Sequence, residues 1–323
     1  MGESLVQIVT TVTPVFALIA LGWVCARTRY LSPAAGDGLA DYVVRVAVPL
    51  LLFRTLASEP LPGAGALAIW TTYFAAIAAV WALGTLAARH LYGRDRRTGV
   101  VAGVSTSYAN LVLLGIPFVE RVFGPEGLQV LLLVIAVHLP VMMLLSTVLM
   151  ERAVEGDAAA GVDGVVRPPP GSAMVRVARA VLANPLIVGI LAGLAWRATG
   201  LGLPGLATQL LDYVARTTGP VALVALGLSL VRYGVAGDRF AAGTIAALAL
   251  IVQPALVLAF GSGLALPERT LAVLTLCAAL PTGINAWLIA THFKVAQGLS
   301  GSVIALACLG SFVTLPLWLY LVS

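Results

Sequence analysis

Two segments of the chain combine an asparagine with residues that interrupt helices, and they occupy matching places in its two halves. The first segment, 107–117, reads SYANLVLLGIP, and the second, 280–293, reads LPTGINAWLIATHF. Asn110 in the first corresponds to Asn285 in the second, 175 positions later. An asparagine side chain offers hydrogen-bond donors and an acceptor without the cost of burying a charge. The residues that disfavour a regular helix are Gly115 and Pro117 in the first segment, and Pro281 and Gly283 in the second.

These interruptions predict a binding site for an anion. A proline inside a membrane helix frees a backbone carbonyl that lipid cannot satisfy, so broken helices are tolerated where they line a protein cavity. The N-termini of half-helices carry the positive ends of their dipoles and suit anionic groups. We therefore expect Asn110, Asn285, Pro281 and Gly283 to meet at a substrate site. The alternative is that both segments are ordinary kinks whose asparagines bond between helices.

His138 is a further polar side chain in strongly apolar sequence, two residues before Pro140. An ionisable residue inside a membrane span is a functional candidate, because its burial is costly. Histidine can carry a proton near neutral pH or bind a carboxylate. His138 is thus expected either at the substrate site, with a proton or a carboxylate as its ligand, or in a structural hydrogen bond between helices.

Two pairs of opposite charges recur in the halves. Asp41 and Arg45 are four residues apart, and Asp212 and Arg216 repeat the arrangement. Residues at this spacing share one face of a helix and can neutralise each other. Two interpretations stay open: structural pairs near the ends of spans, or groups that couple or gate transport.

The composition shows which elements must position these residues. Hydrophobic residues make up 60% of the 323 positions, charged residues 10%, and the mean hydropathy is +1.01. A soluble domain is about 45–50% apolar and about 25% charged. The chain is therefore expected to be an all-α polytopic membrane protein. Ten spans of about 20 apolar residues can be traced, at 5–25, 37–57, 65–88, 99–120, 128–150, 175–196, 205–230, 239–264, 269–292 and 298–321.

The basic residues predict how the spans are oriented. With the N-terminus outside, 13 of the 19 Lys and Arg residues fall at inner ends and loops, three at outer ones, and three within or near spans. The positive-inside rule then places both termini outside and the linker in the cytoplasm. This linker, 151–174, is polar and carries three consecutive prolines, and it separates a first half, 1–150, from a second half, 175–323.

An internal repeat relates the two halves. Segment 14–49 aligns without a gap on 185–220, with 11 identical residues in 36. Because each half contains five predicted spans, an odd number, the second half starts on the opposite side of the membrane. The two repeats are thus expected to have inverted topology, as in many carriers.

Enzyme signatures are missing from the sequence. It has no phosphate loop, no HExxH, no paired cysteine motif and no nucleophile elbow. We expect no catalytic residues, no metal site, no cofactor and no nucleic-acid partner, and we interpret the three cysteines as small buried hydrophobic residues. Without a nucleotide-binding segment, transport would be passive or driven by a gradient, and proton or sodium coupling both stay open.

The sequence resembles the auxin efflux carrier family, which includes plant auxin exporters and bacterial carriers of malonate and malate. The resemblance covers nearly the whole chain. The motifs that carry it are DYVVRVAVPLLLF at 41–53, ANLVLLGIPFVERVFGPEG at 109–127, ANPLIVGILAGL at 183–194, GPVALVALGLSL at 219–230 and LPTGINAWLIATHF at 280–293.

The resemblance implies an architecture and a mechanism. Spans 1, 2, 6 and 7 would form a scaffold domain that also forms a homodimer, and spans 3–5 and 8–10 a transport domain. The broken spans 4 and 9 would cross at the centre of that domain, with Asn110 contacting the substrate carboxylate and Asn285 as its counterpart. The domain would slide past the scaffold in an elevator-like motion, in the inner (plasma) membrane of a bacterium.

The sequence departs from the family pattern at the first break and in the linker. Ala109 precedes Asn110 where relatives often have proline, and Thr106 occupies the place of Pro281 in the repeat. The first break is therefore either softer or set by Gly115 and Pro117. The short linker makes phosphorylation control like that of plant exporters unexpected.

Two functions follow from these observations. The first is a secondary transporter of a small organic anion: a monocarboxylate, a dicarboxylate such as malonate or malate, or an auxin-like acid. The second is a membrane sensor or interaction protein that keeps the carrier fold without moving a substrate. Signalling relatives normally add a soluble domain, and this sequence shows none.

Overall fold

The computed structural model of the chain describes residues 5–58, 65–159, 179, 182–233 and 238–323. Within these residues the chain folds into helices and short connections, with one isolated β-bridge between Ala109 and Thr282. The predicted all-α class is confirmed for this part of the chain.

Thirteen helices and four π-helical turns are found in the described residues. The helices are α1 (Leu5–Arg27), α2 (Pro33–Tyr42), α3 (Val48–Ser58), α4 (Ala66–Leu86), α5 (Arg96–Ser107), α6 (Ile116–Ala159), α7 (Pro185–Ala198), α8 (Gly205–Leu230), α9 (Arg239–Ala247), α10 (Gln253–Gly263), α11 (Glu268–Ala279), α12 (Ile284–His292) and α13 (Gln297–Val322). The π-helical turns are Val43–Ala47, Ala87–Leu91, Leu111–Gly115 and Leu248–Val252.

Several helices begin where a side chain caps the first free backbone N–H groups. Ser32 accepts from the amide of the third helical residue of α2, and Asp95 caps α5. Asn184 accepts from Leu186 N at 2.9 Å and so starts α7. Asp238 accepts from two amides at the start of α9. Because Ser, Asp and Asn are strongly preferred at this position, the sequence determines these helix starts locally.

Glycines let α1 and α8 pack with their backbones in contact. A Cβ added to Gly22 would clash with the carbonyl of Val224, and one added to Gly227 would clash with that of Ile19. In the same way, α3 and α7 meet where a Cβ on Gly193 would lie 2.8 Å from the Phe53 carbonyl oxygen. Small residues at membrane helix interfaces allow this close approach.

These contacts follow the internal repeat. Gly22 and Gly193 are equivalent positions of the repeat, and so are Phe53 and Val224. Each glycine contacts the equivalent residue of the other half. These two contacts between the halves are therefore reciprocal.

Length and composition qualify six of the helices as candidate membrane spans within the described residues: Val6–Arg27, Ala66–Leu91, Leu111–Asp157, Gly205–Leu230, Arg239–Gly263 and Gln297–Val322. Four predicted spans do not qualify on their own. The interval 37–57 carries the charged residues Asp41, Arg45 and Arg54 besides Asp37. The intervals 99–120 and 269–292 each contain a break, and the described helix of 175–196, Pro185–Ala198, is short. The count of ten inverted spans thus stays a prediction.

The end of the first half differs from the boundary expected from sequence. Leu111–Asp157 covers parts of two predicted spans, joined at Gly124, whose φ of 66° interrupts the helical path. Glycine tolerates this left-handed region at little cost. The helix α6 then continues to Ala159, into the interval predicted as linker. The remainder of that linker, 160–174, and the predicted start of the second half at 175 lie outside the described residues.

Candidate functional site

The two predicted breaks meet each other through their backbones. Helix α5 ends at Ser107 and α11 ends at Ala279. The amide of Asn110 donates to the carbonyl of Pro281 at 2.9 Å, and the amide of Gly283 donates to the carbonyl of Tyr108 at 2.7 Å. The two non-helical segments therefore supply hydrogen-bond partners for each other's backbone groups, which have no partners within their own helices. This pairing meets the requirement that backbone groups in a membrane find partners within the protein.

Hydroxyl groups anchor this crossing to neighbouring helices. Thr282 Oγ1 donates to the carbonyl oxygen of Ser105 at 2.7 Å, so the second break is tied to the last turn of α5. The hydroxyl of Ser105 in turn donates to that of Ser300 on α13 at 3.3 Å. All three side chains are buried. The crossing is thus fixed by polar contacts that satisfy buried groups.

The first break lies upstream of the residues expected to cause it. The chain leaves the helical conformation at Tyr108 and Asn110, and it resumes with a π-helical turn closed by the Gly115 amide, which donates to the Asn110 carbonyl at 2.9 Å. Pro117 lies within α6, near its start. Of the two alternatives for the first break, the one in which Gly115 and Pro117 set it does not match this geometry, because the chain leaves the helical conformation before either residue and both lie in the half-helix that follows Asn110.

Gly283 is the point of closest approach between the two breaks. A Cβ placed on it would lie 3.3 Å from Asn110 Cα and 3.3 Å from the Tyr108 carbonyl oxygen. Both are backbone atoms and cannot rotate away. Glycine at this position therefore allows the two broken segments to pair.

A cavity of about 120 Å³ lies at the crossing. It is bounded by the start of the half-helix that follows Asn110, by the start of α12 at Gly283 and by the start of α7 at Asn184. Three helix N-termini thus border one space. Since each N-terminus is the positive end of a helix dipole, these ends favour a negative group in the cavity. The amides of Leu113 and Leu186 are already capped by Asn110 and Asn184.

The asparagines of the chain all line this cavity. The sequence contains three, Asn110, Asn184 and Asn285, and each borders the cavity. Asn110 is 5% exposed; its Oδ1 accepts from the Leu113 amide at 3.2 Å, whereas its Nδ2 forms no hydrogen bond with the described residues. A buried donor without a partner costs about 1–3 kcal/mol. The Nδ2 group is therefore a buried donor that an acceptor in the cavity could satisfy.

His138 on α6 borders the same cavity from a cluster of aromatic rings. Its side chain is 1% exposed, and neither ring nitrogen forms a hydrogen bond with the described residues. The ring centroids of Tyr108, Tyr73 and Phe74 lie 4.9, 5.8 and 6.4 Å from that of the imidazole. A structural hydrogen bond between helices through His138 is therefore not found among the described residues.

The predicted site residues fall into two groups. Asn110, Asn285, Gly283 and His138 border one cavity, and Pro281 holds the Asn110 amide beside it. The four charged residues proposed for coupling or gating do not border it: Asp41, Arg45, Asp212 and Arg216.

Only the first of the two charged pairs forms as predicted within the described residues. Arg45 Nε lies 3.3 Å from Asp41 Oδ1, with both side chains largely exposed. Asp212 instead pairs with Arg54 of the first half. The expected repetition by Arg216 is therefore wrong, because a tertiary contact between halves offers Asp212 a more buried partner than its neighbour on the helix.

Tyr108 and Asn184 were not singled out from sequence as site residues. Tyr108 lies at the break itself, and its hydroxyl is within interaction range of the Asn285 side chain without forming a regular hydrogen bond. Asn184 reads as an ordinary helix start, since it caps α7 before Pro185. The scarcity of asparagine in the sequence was the available signal for Asn184.

Acidic, histidine and cysteine side chains do not gather into a metal-binding cluster within the described residues. The polar groups at the cavity are amides, an imidazole, a phenol and helix N-termini. These groups can bind an anion by hydrogen bonds and dipoles. They do not form an arrangement of nucleophile and base.

The apolar helices and this crossing define a membrane transport protein, and comparison with known proteins agrees. The model of a family described as "Membrane transport protein" matches residues 7–319, so the chain belongs to this family. The match confirms the resemblance to the auxin efflux carriers, and it indicates a transporter rather than an enzyme.

Two curated relatives align along almost their whole length. A protein of Rhizobium meliloti (strain 1021) named "Putative malonate transporter" is 26% identical over 322 residues, which cover 98% of this chain and 96% of the relative. A protein of Methanothermobacter thermautotrophicus named "Uncharacterized transporter" is 27% identical over 325 residues, 95% of this chain and 96% of the relative. This chain is similar to both proteins, and both are named as transporters.

Proposed function

We propose that the protein is a secondary transporter of small organic anions, and that it binds a carboxylate in the cavity between its two broken helices. The observation that carries the proposal is the convergence of three helix N-termini and the free Nδ2 donor of Asn110 on one space. A carboxylate supplies the acceptors that these donors lack. Because the binding groups are dipoles rather than fixed charges, the anion can also leave.

The size of the cavity favours a short acid. A protein cavity of about 150 Å³ can hold one benzene molecule, so a volume of about 120 Å³ suits a ligand of that size or smaller. A dicarboxylate such as malonate or malate displaces a comparable volume, whereas an auxin-like acid with an indole ring needs the cavity to widen. The name of the Rhizobium relative points to the same substrate class. We therefore rank short mono- and dicarboxylates above auxin-like acids.

The proposed transport mechanism is alternating access of the elevator type. The reciprocal contacts of Gly22 and Gly193 support two inverted five-span repeats. In that arrangement, spans 1, 2, 6 and 7 are the scaffold, and the crossing belongs to the mobile transport domain. Val44 and Asn184 border the cavity from the scaffold side, and Asn110 and Asn285 from the mobile side. Substrate would thus be held where the two domains meet and carried as one slides past the other.

Assembly and location follow the same proposal. The scaffold would pair with a second copy to form a homodimer, since a moving domain needs a fixed frame. The protein would lie in the inner (plasma) membrane of a bacterium, with both termini outside and the linker in the cytoplasm.

Flux through proteoliposomes tests the proposed function. Purified protein is reconstituted, uptake of labelled malonate is followed, and unlabelled malate, acetate and indole acetate are added as competitors. We expect saturable uptake that the short acids inhibit. Asn285→Ala, which shortens an amide at the cavity without removing a helix cap, should weaken uptake. Gln297→Ala, which shortens an exposed amide outside the cavity, is the matched control. Absence of flux and of binding for every acid would contradict the proposal.

A further inference from the structure

The cavity contains no side chain of fixed charge to balance an anion. Among the described residues that border it, none is Asp, Glu, Lys or Arg. His138 and Tyr108 are its titratable groups. Of these, the imidazole can become positive near neutral pH, whereas a phenol can only become negative. When an anion binds here, as the proposed function requires, one of these groups is needed to compensate its charge.

The surroundings of His138 favour its neutral state until a ligand enters, because the ring is buried. Titratable groups face it from two neighbouring elements, Tyr73 from α4 and Tyr108 from the first break. Tyr73 in turn interacts with Cys277 of α11. From its own helix, Ile135 and Leu139 border the cavity. No carboxylate or basic side chain is among these neighbours, so the imidazole has no counter-ion before a ligand enters.

A bound carboxylate changes which state of the imidazole is favoured. A negative charge beside a histidine stabilises the protonated ring. An imidazolium and a carboxylate together form a neutral pair, which costs less to hold away from water than a carboxylate alone. Neither ring nitrogen has a hydrogen-bond partner among the described residues, and protonation makes both of them donors. The aromatic rings around His138 also tolerate a cation better than aliphatic side chains do.

We propose that His138 takes up one proton from solution when a carboxylate binds, and that anion and proton cross the membrane together. The only bond that forms is N–H on the free imidazole nitrogen, and the same bond breaks when the anion leaves on the other side. By linkage, a lower pH on one side raises the affinity for the anion on that side. An inward-directed proton gradient would thus drive uptake.

Calorimetry of malonate binding measures this proton directly. Purified protein is titrated with malonate in two buffers of different ionisation enthalpy, at a pH where malonate is fully ionised. The difference in heat gives the number of protons taken up. We expect about one proton for each malonate bound by the wild type and about none by His138→Gln. His90→Gln, which removes an exposed histidine outside the cavity, should behave like the wild type.

A second experiment leaves His138 intact. The sequence contains three histidines, so the double variant His90→Gln with His292→Gln keeps His138 as its only histidine. Its imidazole signals in an NMR spectrum of histidine-labelled protein should move to the positions of an imidazolium when malonate is added. This measurement decides the proposal even if His138→Gln does not fold.

The outcomes separate this inference from the proposed function. Malonate binding without proton uptake by the wild type would overturn the inference and leave carboxylate binding intact. Equal proton uptake by His138→Gln would place the proton on the anion itself and would also overturn it. Failure of malonate and the competitor acids to bind would contradict the proposed function, and this inference with it.

Discussion

Replacing Asn110 by alanine should weaken substrate binding far more than it destabilises the protein. The substitution removes two contacts at once. The Oδ1 cap on the Leu113 amide, 3.2 Å long, is worth about 1 kcal/mol of stability. The substitution also removes the free Nδ2 group, so the substrate carboxylate loses a hydrogen-bond donor. A hydrogen bond to a charged group is worth about 1.5–3 kcal/mol. At about 1.4 kcal/mol for each tenfold change, affinity should fall roughly 10- to 150-fold.

The loss of substrate affinity can be separated from the loss of stability by a variant that removes a comparable helix cap elsewhere. Ser32→Ala removes the cap of α2, where the hydroxyl accepts from the Ala35 amide at 3.2 Å, and it lies outside the cavity. It should lower the midpoint of thermal unfolding by a similar amount and leave malonate uptake unchanged. Asn110→Asp keeps the capping oxygen and replaces the amide donor with a negative charge. It should retain stability better than Asn110→Ala and abolish uptake.

Malonate uptake by proteoliposomes and thermal unfolding in detergent give the two readouts. Apparent KM values are compared after correction for the amount of folded protein in each preparation. A wild-type KM for Asn110→Ala, or a loss of uptake in Ser32→Ala as large as in Asn110→Ala, would refute the reasoning.

Three further substitutions test the packing, ion pairs and pH response. Gly283→Ala should lower stability by about 1–3 kcal/mol and reduce uptake, because the added Cβ meets fixed backbone atoms. Gly243→Ala is the control, because Gly243 faces open space and the substitution should not destabilise the protein. Equal unfolding midpoints for the two variants would contradict this expectation. Asp212→Asn should destabilise the protein more than Asp41→Asn, because the exposed pair of Asp41 with Arg45 is worth only about 0.3–0.5 kcal/mol. A lower unfolding midpoint for Asp41→Asn than for Asp212→Asn would contradict the pairing of Asp212 with Arg54. The backbone amide that Asp238 caps, followed by a nearby arginine, lowers the pKa of this carboxyl below its ordinary 3.8. Its contribution to stability is therefore present above that ordinary pKa and lost as the pH falls through the lowered value, so Asp238→Asn should weaken the acid dependence of unfolding there; an unchanged pH profile would argue against it.

The meeting of the two breaks could be predicted from sequence because it follows from the repeat. Asn110 and Asn285 occupy equivalent places, and membrane backbone without a helix must find partners inside the protein. The position of the first break could not be predicted from the residues next to it in the sequence. Gly115 and Pro117 lie within the half-helix that follows Asn110, and the chain opens before them, where Tyr108 and Asn110 pair with the other break.

The charged pairs show the limit of local spacing more plainly. Four-residue spacing allowed Asp212 to pair with Arg216, yet Asp212 pairs with Arg54, which is distant in sequence and on the other half. Such a choice depends on how the halves pack. The orphaned imidazole of His138 is likewise a tertiary property, since the sequence shows an ionisable residue in a span but not which neighbours lack hydrogen bonds.

A structure of the protein with malonate bound tests most directly whether the cavity between the breaks is the substrate site. The anion should lie in this cavity, with a carboxylate oxygen about 3 Å from Asn110 Nδ2. The second polar end of the anion should face His138. A malonate bound away from the crossing, with Asn110 and His138 unchanged, would contradict the proposed site.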